Sequence, residues 1–540
     1  MPLISIAFRE LWLARSTGCN PAYLRRIGIG KECALSWPSL ILVVLVVLAI
    51  GARYYKLGDY AMTNDEAFSW RLTQYGICEV IARTAADVHP PLYYVLLKAW
   101  VFLWGESPVA MRSLSLLFGV LCIPLIYVVC LESFADRTAA RNLSPSAYAG
   151  ALLAAFLMAF HTSEVAAGRS ARMYSLGALL AGVTAWLLLK ALRATNRTYV
   201  WWSAYGLSAA AFCYTHNYAI FSLLAQAAYV GVESFQSGHT ESFRQLIGRV
   251  GGFLCAGALA VLLYGAWFPA LVAQIRAVRQ DYWIPSVTAE EIEHVFLQWC
   301  TGQDGLDVVG SRLWLIAVAG IAGWTIWRSG RTGWFFLSQA ALPWLLSLGI
   351  SLFTGRSIFI DRYLLFAHFH FLGFWGVVCL TLPKLHERIA LVCVLATVCL
   401  SGLWAAAKHL PDSPPAIAAA VDYVKAHYHD DELIIVDWPS EVNRLRYYTK
   451  LAGVTWPQVR WKVNPLSPHN PRMHIASLCS EDLYLMTDGV DERLPRRLWL
   501  AYEGSAVLFP ATSTMKLVWS RTFEGGNYTT YTLTLYERSE

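Results

Sequence analysis

The sequence predicts an all-α polytopic membrane bundle of about eleven transmembrane helices, with a small soluble α/β domain at its C-terminus. Three observations carry that expectation. The composition is membrane-like: 56% of the 540 residues are hydrophobic and only 15% are charged, against about 25% charged in a soluble domain. Apolar runs near the length a bilayer demands, about 20 residues, recur along the first three quarters of the chain. The last 130 or so residues then change character and read as alternating helix and strand signals.

The expected spans are Pro38–Tyr55, Pro108–Leu131, Ala147–Ala166, Met173–Leu192, Tyr199–Tyr214, Tyr218–Glu233, Val250–Ala270, Ser311–Trp327, Gly333–Phe353, Tyr363–Leu382 and Ile389–Ala407. The fifth and sixth are short and meet at the turn Thr215-His216-Asn217. One apolar run, Pro91–Trp104, is excluded, because about fourteen residues suit an interfacial or re-entrant helix better than a span. Charge supports the exclusion. Without that run, alternate loops carry the Lys and Arg typical of the cytoplasmic side: Arg9, Arg15, Arg25, Arg26 and Lys31, then Arg137 with Arg141, Arg193 with Arg197, Arg244 with Arg249, Arg328 with Arg331, and Lys384 with Arg388. The N-terminus is thus expected inside, and three longer segments outside: Lys56–Ser107, Leu271–Gly310 and everything after Lys408. Met1–Glu32 is mixed and basic, without a cleavable signal pattern. The expected organisation is a cytoplasmic N-terminus (1–37), a transmembrane domain (38–407) and an outer-face soluble α/β domain (408–540). Within the last, Ala416–His429 has helical periodicity, while Glu432–Val436 and Thr529–Tyr536 read as strands.

Other function classes lose ground on composition. A formal net charge of +6 gives no basic stripe for nucleic acid. The twelve cysteines show no metal-ligand spacing, and Cys122, Cys130, Cys255 and Cys393 lie in apolar runs as small buried hydrophobes. A transporter or lipid flippase is the rival from another class. It needs intramembrane ionisable groups around a midplane site, whereas the polar groups here gather at outer edges.

Four outer segments hold the candidate chemistry. Thr63-Asn64-Asp65-Glu66 places two adjacent carboxylates just after the first span, suited to a general base or to metal ligation. It is equally a capping box, with Thr63 and Glu66 at the start of a helix. Asp87-Val88-His89-Pro90-Pro91 opens the excluded helix, whose N-terminus beside His89 could hold a phosphate or serve as an interfacial cap. Gly168-Arg169-Ser170-Ala171-Arg172 and Arg356-Ser357-Ile358-Phe359-Ile360-Asp361-Arg362 are basic on the outer side, against the trend. Arginine offers a planar donor fork to phosphate, though lipid headgroups or a surface Asp361–Arg362 pair would also suit them. Trp201-Trp202-Ser203-Ala204-Tyr205-Gly206, inside a span, reads as interfacial aromatics.

The ordered set of motifs resembles a known family. Asp65-Glu66-Ala67, His89-Pro90-Pro91-Leu92-Tyr93-Tyr94, Gly105-Glu106-Ser107 with Arg112, Leu116-Leu117-Phe118-Gly119, Ala171-Arg172-Met173-Tyr174-Ser175-Leu176, Tyr214-Thr215-His216-Asn217-Tyr218 and Asp361-Arg362-Tyr363 are similar to bacterial GT-C glycosyltransferases of the protein mannosyltransferase / aminoarabinose transferase-like superfamily, over about residues 38 to 380. The resemblance implies a multi-pass enzyme of the bacterial cytoplasmic membrane, with its C-terminal domain periplasmic or extracellular. It implies transfer of a sugar from a polyprenyl-phosphate donor to a hydroxyl acceptor (glycan, lipid or protein), with inversion. On that resemblance Asp65 is the base, with Glu66 beside it. His89, Arg172, Arg362, Tyr363 and Arg169 face the donor phosphate, and Asp87, Tyr94, Tyr174 and His216 form the substrate pocket. A divalent metal at Asp65 and Glu66 is compatible with the sequence but not required by it.

Overall fold

A computed structural model describes residues 36–135, 143–237, 243–280, 286–302, 308–408, 415–427, 433–436, 441–453, 461–463, 497–503, 515–524 and 530–538, with 284 and 410. The basic N-terminus, Arg137 with Arg141, and most of the Pro-rich junction before residue 415 lie outside these residues.

Helices occupy all eleven expected span positions. The first is α1 (Trp37–Tyr54), followed by three short helices, α2 (Asn64–Thr73), α3 (Ile77–Ala86) and α4 (Leu92–Trp104). Then come α5 (Pro108–Phe134), the bent pair α6 (Pro145–Phe160) and α7 (Thr162–Gly168), α8 (Tyr174–Arg193), α9 (Thr198–Cys213), α10 (Ala219–Ser237), α11 (Phe243–Tyr264) and α12 (Phe268–Gln280). The bundle closes with α13 (Ala289–Thr301), α14 (Val308–Ser329), α15 (Arg331–Thr354), α16 (Leu365–Thr381) and α17 (Leu385–Lys408). Among the described residues, seven helical stretches are long and apolar enough to cross a bilayer, or eight if α6 and α7, bent by 56°, count as one. The remaining expected spans fall on α9, α10 and α14. The run expected to stay out of the membrane is α4, only 13 residues long.

Local chemistry explains the starts. Ser107 and Ser144 each precede a proline, and each hydroxyl accepts the backbone N–H three residues on, from Ala110 at 3.1 Å and Ala147 at 3.3 Å. Proline at the first helical position needs no partner for an absent N–H. Packing places α16 at the centre, buried along 89% of its most apolar stretch, and leaves α1 and α17 peripheral at 22% and 17%. Backbones touch where α6 crosses α16. A Cβ on Gly150 would stand 2.4 Å from the Gly376 carbonyl oxygen, the close approach that small residues permit between membrane helices.

Two aromatic and cysteine expectations are corrected. Trp202 is not an interfacial residue but a core one, packed so tightly against Gly252 that a Cβ there would meet its indole at 2.2 Å. Of the four cysteines expected to be buried, Cys122 and Cys130 are, while Cys255 and Cys393 are exposed on the protein surface, since α11 and α17 turn those faces away from the bundle.

The C-terminal domain is α/β as expected. Helix α18 (Ala416–His427) and α19 (Glu441–Leu451) pack with β1 (Leu433–Val436), β2 (Trp461–Val463), β3 (Arg497–Glu503), β4 (Met515–Glu524) and β5 (Thr530–Arg538). The five-stranded sheet has order β2-β1-β3-β5-β4. It is parallel at β1 and antiparallel from β3 to β4. Its core is continuous with the layer of α2 and α4: Trp70, Tyr93 and Leu97 share one apolar cluster with Val424, Tyr448 and Trp499.

Candidate active site

The site is built at one end of the bundle from α2, the loops before α4 and α8, the α9–α10 turn, and the short 3-10 turn Asp361–Leu364. Contacts tie these pieces together. Leu92 N–H donates to the Tyr214 carbonyl at 3.0 Å, and Asn217 donates to the Val88 carbonyl at 3.0 Å. The opposite end carries the ion pairs Lys190–Glu132 at 2.5 Å and Arg331–Glu233 at 3.4 Å.

The two adjacent carboxylates part company. Glu66 is buried and fully engaged. Its oxygens accept from Arg112 Nε at 2.8 Å and Nη2 at 2.9 Å, from the Ala171 N–H at 2.9 Å and from the Thr63 N–H at 3.0 Å. Thr63 returns the bond by accepting the Glu66 N–H, completing a capping box. Burial alone would raise the Glu66 pKa, but Arg112 and the hydrogen bonds outweigh it and hold the carboxyl below its usual range. Asp65, one position earlier on the helix, keeps its side chain 48% exposed. Its neighbour is Arg172, whose Nε lies 3.9 Å from Asp65 Oδ2. With both Glu66 oxygens so occupied, Asp65 and Glu66 do not open as a pair toward a cation. Among the described residues, no three His, Cys, Asp or Glu side chains are grouped for a metal ion.

Arg172 is the hub. Buried between α2, α4 and α8, it donates through Nη1 to the Tyr94 hydroxyl at 3.1 Å and to the Asp65 carbonyl at 3.3 Å. Its Nη2 lies 3.5 Å from His89 Nε2. The other ring nitrogen, Nδ1, stands 3.1 Å from Asp87 Oδ2. A carboxylate only accepts, so Nδ1 carries the proton and Nε2 is left to accept from Arg172. Burial opposes the charge on Arg172, yet Tyr94 and Asp65 outweigh it and raise its pKa well above normal.

His216, Tyr174 and Tyr363 form an aromatic wall beside Arg172. His216 and Tyr363 ring centroids are 4.8 Å apart, and Tyr174 and Tyr363 are 6.3 Å apart. Burial, His89, Arg172 and Arg362 all push the His216 pKa well below its usual value, so the ring is neutral at physiological pH. The Arg362 guanidinium lies 5.6 Å from the Tyr363 ring centroid and within Coulombic range of Asp65 and Tyr174. Tyr94 sits behind Arg172, with no exposed surface. Arg169 stands apart from this cluster. It caps α1, donating to the carbonyls of Ala52, Arg53, Tyr55 and Lys56, the groups a helix C-terminus leaves without partners.

Two cavities flank the wall. One, of about 1480 Å³, is mostly apolar and runs between α9, α10, α11 and α12, with His216, Asn217 and Arg356 as polar members. The other, of about 520 Å³, is lined by Tyr174, Arg362, Asp361, Ser163 and Gln298. The motif order pointed to the residues of the wall. It did not point to the apolar cavity, whose lining is scattered through generic span residues.

Neither a protein-family profile nor a curated protein sequence matches the chain. Solved structures do. ArnT from Cupriavidus metallidurans in its apo state superposes at a TM-score of 0.58 with 11% identity, covering 92% of this chain and 98% of that one. The same protein bound to undecaprenyl phosphate superposes at 0.54 with 11% identity, covering 91% and 97%. At this identity the likeness is one of fold, and it extends over the C-terminal domain as well as the bundle.

Proposed function

We propose that this chain, which carries the GT-C fold, is a membrane glycosyltransferase that moves a sugar from a polyprenyl-phosphate donor to a hydroxyl acceptor. One observation carries the reading: a half-exposed carboxylate, Asp65, stands beside the buried cation Arg172, and His216 links that pair to an apolar cavity of about 1480 Å³. A long isoprenoid chain needs such a cavity, its phosphate needs fixed cations at the polar end, and an attacking hydroxyl needs a base. The fold shared with a protein bound to undecaprenyl phosphate supports that donor class.

In the proposed reaction, the acceptor hydroxyl oxygen attacks the anomeric carbon. Its proton passes to the Asp65 carboxylate, and the bond from that carbon to the phosphate oxygen breaks. The lipid phosphate leaves with the electron pair, stabilised by Arg172 and Arg362. One displacement inverts the anomeric centre. His89 and Asp87 act on Arg172, holding its Nη2 by the Nε2 lone pair. Glu66 holds the helix that carries Asp65, and Tyr174, Tyr363 and His216 border the sugar. The site faces the outer side of a bacterial cytoplasmic membrane.

The test is direct. Purified protein in nanodiscs is supplied with undecaprenyl-phosphate-linked pentose, hexose and amino-sugar donors and with cell-envelope acceptors, and free undecaprenyl phosphate is measured. Release dependent on acceptor supports the reading. No release from any donor, with undecaprenyl phosphate itself failing to bind, contradicts it.

A further inference from the structure

The geometry points to Tyr448 of the C-terminal domain as a positioning residue for Asp65, which makes that domain a working part of the active site. The inference rests on the reading of Asp65 as the base. Three residues ahead of Asp65, the Met62 backbone N–H donates to the Tyr448 hydroxyl at 2.9 Å. Both residues are buried, and a buried N–H must keep a partner. Glu66 anchors the first turn of α2 through Arg112 and the Ala171 N–H. Tyr448 anchors the entering backbone from the C-terminal domain. Asp65 sits on the short stretch between the two anchors.

The rest of α19 reinforces this hold on α2. Tyr447 packs edge-to-face on Trp70 with centroids 5.3 Å apart. Trp70 Nε1 donates to Glu106 Oε2 at 2.8 Å. Lys450 Nζ then joins Glu106 to Gln74, at 2.8 Å from each. The buried face of α2, with Trp70 and Leu72, shares one apolar cluster with Leu445, Tyr447 and Tyr448. A base must stand within hydrogen-bond reach of the hydroxyl it deprotonates, and a displacement near 1 Å can cost about 100-fold in rate. Two anchors around a half-exposed carboxylate supply that precision.

The test uses Tyr448→Phe in the full chain, with an undecaprenyl-phosphate-linked sugar that the parent consumes. Turnover is expected to fall about 10- to 100-fold with donor KM unchanged, while amide exchange across residues 61–66 accelerates and exchange in the spans does not. In an Asp65→Asn background the same change should cost nothing more, because the two residues act as a unit. Should Tyr448→Phe fail to fold, Lys450→Gln, at an exposed position, loosens the same helix and should lower turnover a few-fold. Parent-like turnover in the variant that folds, unchanged exchange at 61–66, or an additive loss with Asp65→Asn overturns the proposal while Asp65 stands as the base. Full activity of Asp65→Asn alone overturns the reading beneath it.

Discussion

Arg172 meets Asp65 twice: its Nε lies 3.9 Å from the carboxylate Oδ2, and its Nη1 donates to the Asp65 carbonyl at 3.3 Å. The second contact fixes the guanidinium relative to the backbone that carries the acid. The first is a longer contact, and the carboxylate side chain remains 48% exposed.

Arg172→Lys should therefore fail despite keeping the charge. One ammonium cannot donate to Tyr94, hold the Asp65 carbonyl and meet His89 Nε2 together. Loss of about 10²- to 10³-fold in kcat is expected, the range for removing one aimed donor from a developing anion. Steady-state kinetics on folded protein checks it; a loss below about 5-fold would move the phosphate elsewhere.

Glu66 and Arg112 should act on stability. Breaking a buried pair leaves one uncompensated charge, worth about 3–5 kcal/mol, so Glu66→Gln and Arg112→Met each should lower the melting temperature sharply. The sign with pH follows from the shift. The folded pKa of Glu66 lies below the ordinary value of 4.5. Its stabilisation is thus fully present above about pH 4.5 and lost as pH falls through the folded value. The melting difference between parent and Glu66→Gln should shrink over that acid window, and a gap that persists below it would contradict the assignment.

Filling the apolar cavity should weaken donor binding without harming the fold. Gly257 lines the cavity, and a Cβ there would have no atom within 4 Å. Gly257→Phe should raise the donor KM at least several-fold with an unchanged melting temperature. Unaltered affinity for undecaprenyl phosphate would place the lipid chain outside this cavity.

Topology gives an independent check. Reporter fusions after Gly238 and Ser413 should report opposite sides, with Gly238 inside, because alternate loops carry the basic residues. All four outer candidate segments meet at one end of the bundle, while Arg193 and Arg331 pair with acids at the other. Fusions on the same side would refute the span count.

The bundle was legible because bilayer thickness imposes a length and a composition that survive any packing detail. The excluded run was legible for the same reason: Leu92–Trp104 is too short to cross. At Thr63–Glu66 the sequence left a choice between capping box and catalytic acid. The structure assigns the cap to Glu66 and leaves Asp65 open to solvent, a division that depends on which face of α2 meets Arg112. Arg169 and Arg172 look alike in sequence, yet one caps α1 and the other reaches Asp65, since three residues across a turn change direction. The contact of Tyr448 with Met62 joins residues 386 apart through tertiary packing, and no local pattern announces it.

The most direct measurement of the central claim compares parent and Asp65→Asn protein for release of undecaprenyl phosphate from an undecaprenyl-phosphate-linked sugar in the presence of acceptor. Asparagine keeps the shape and leaves the capping box of Thr63 and Glu66 untouched, but it cannot take a proton. The account predicts equal yield and melting temperature, with release reduced about 10²- to 10⁴-fold, the contribution of a positioned base. Release within a few-fold of the parent would mean that Asp65 is only a charge at a helix start, and the mechanism would fall with it.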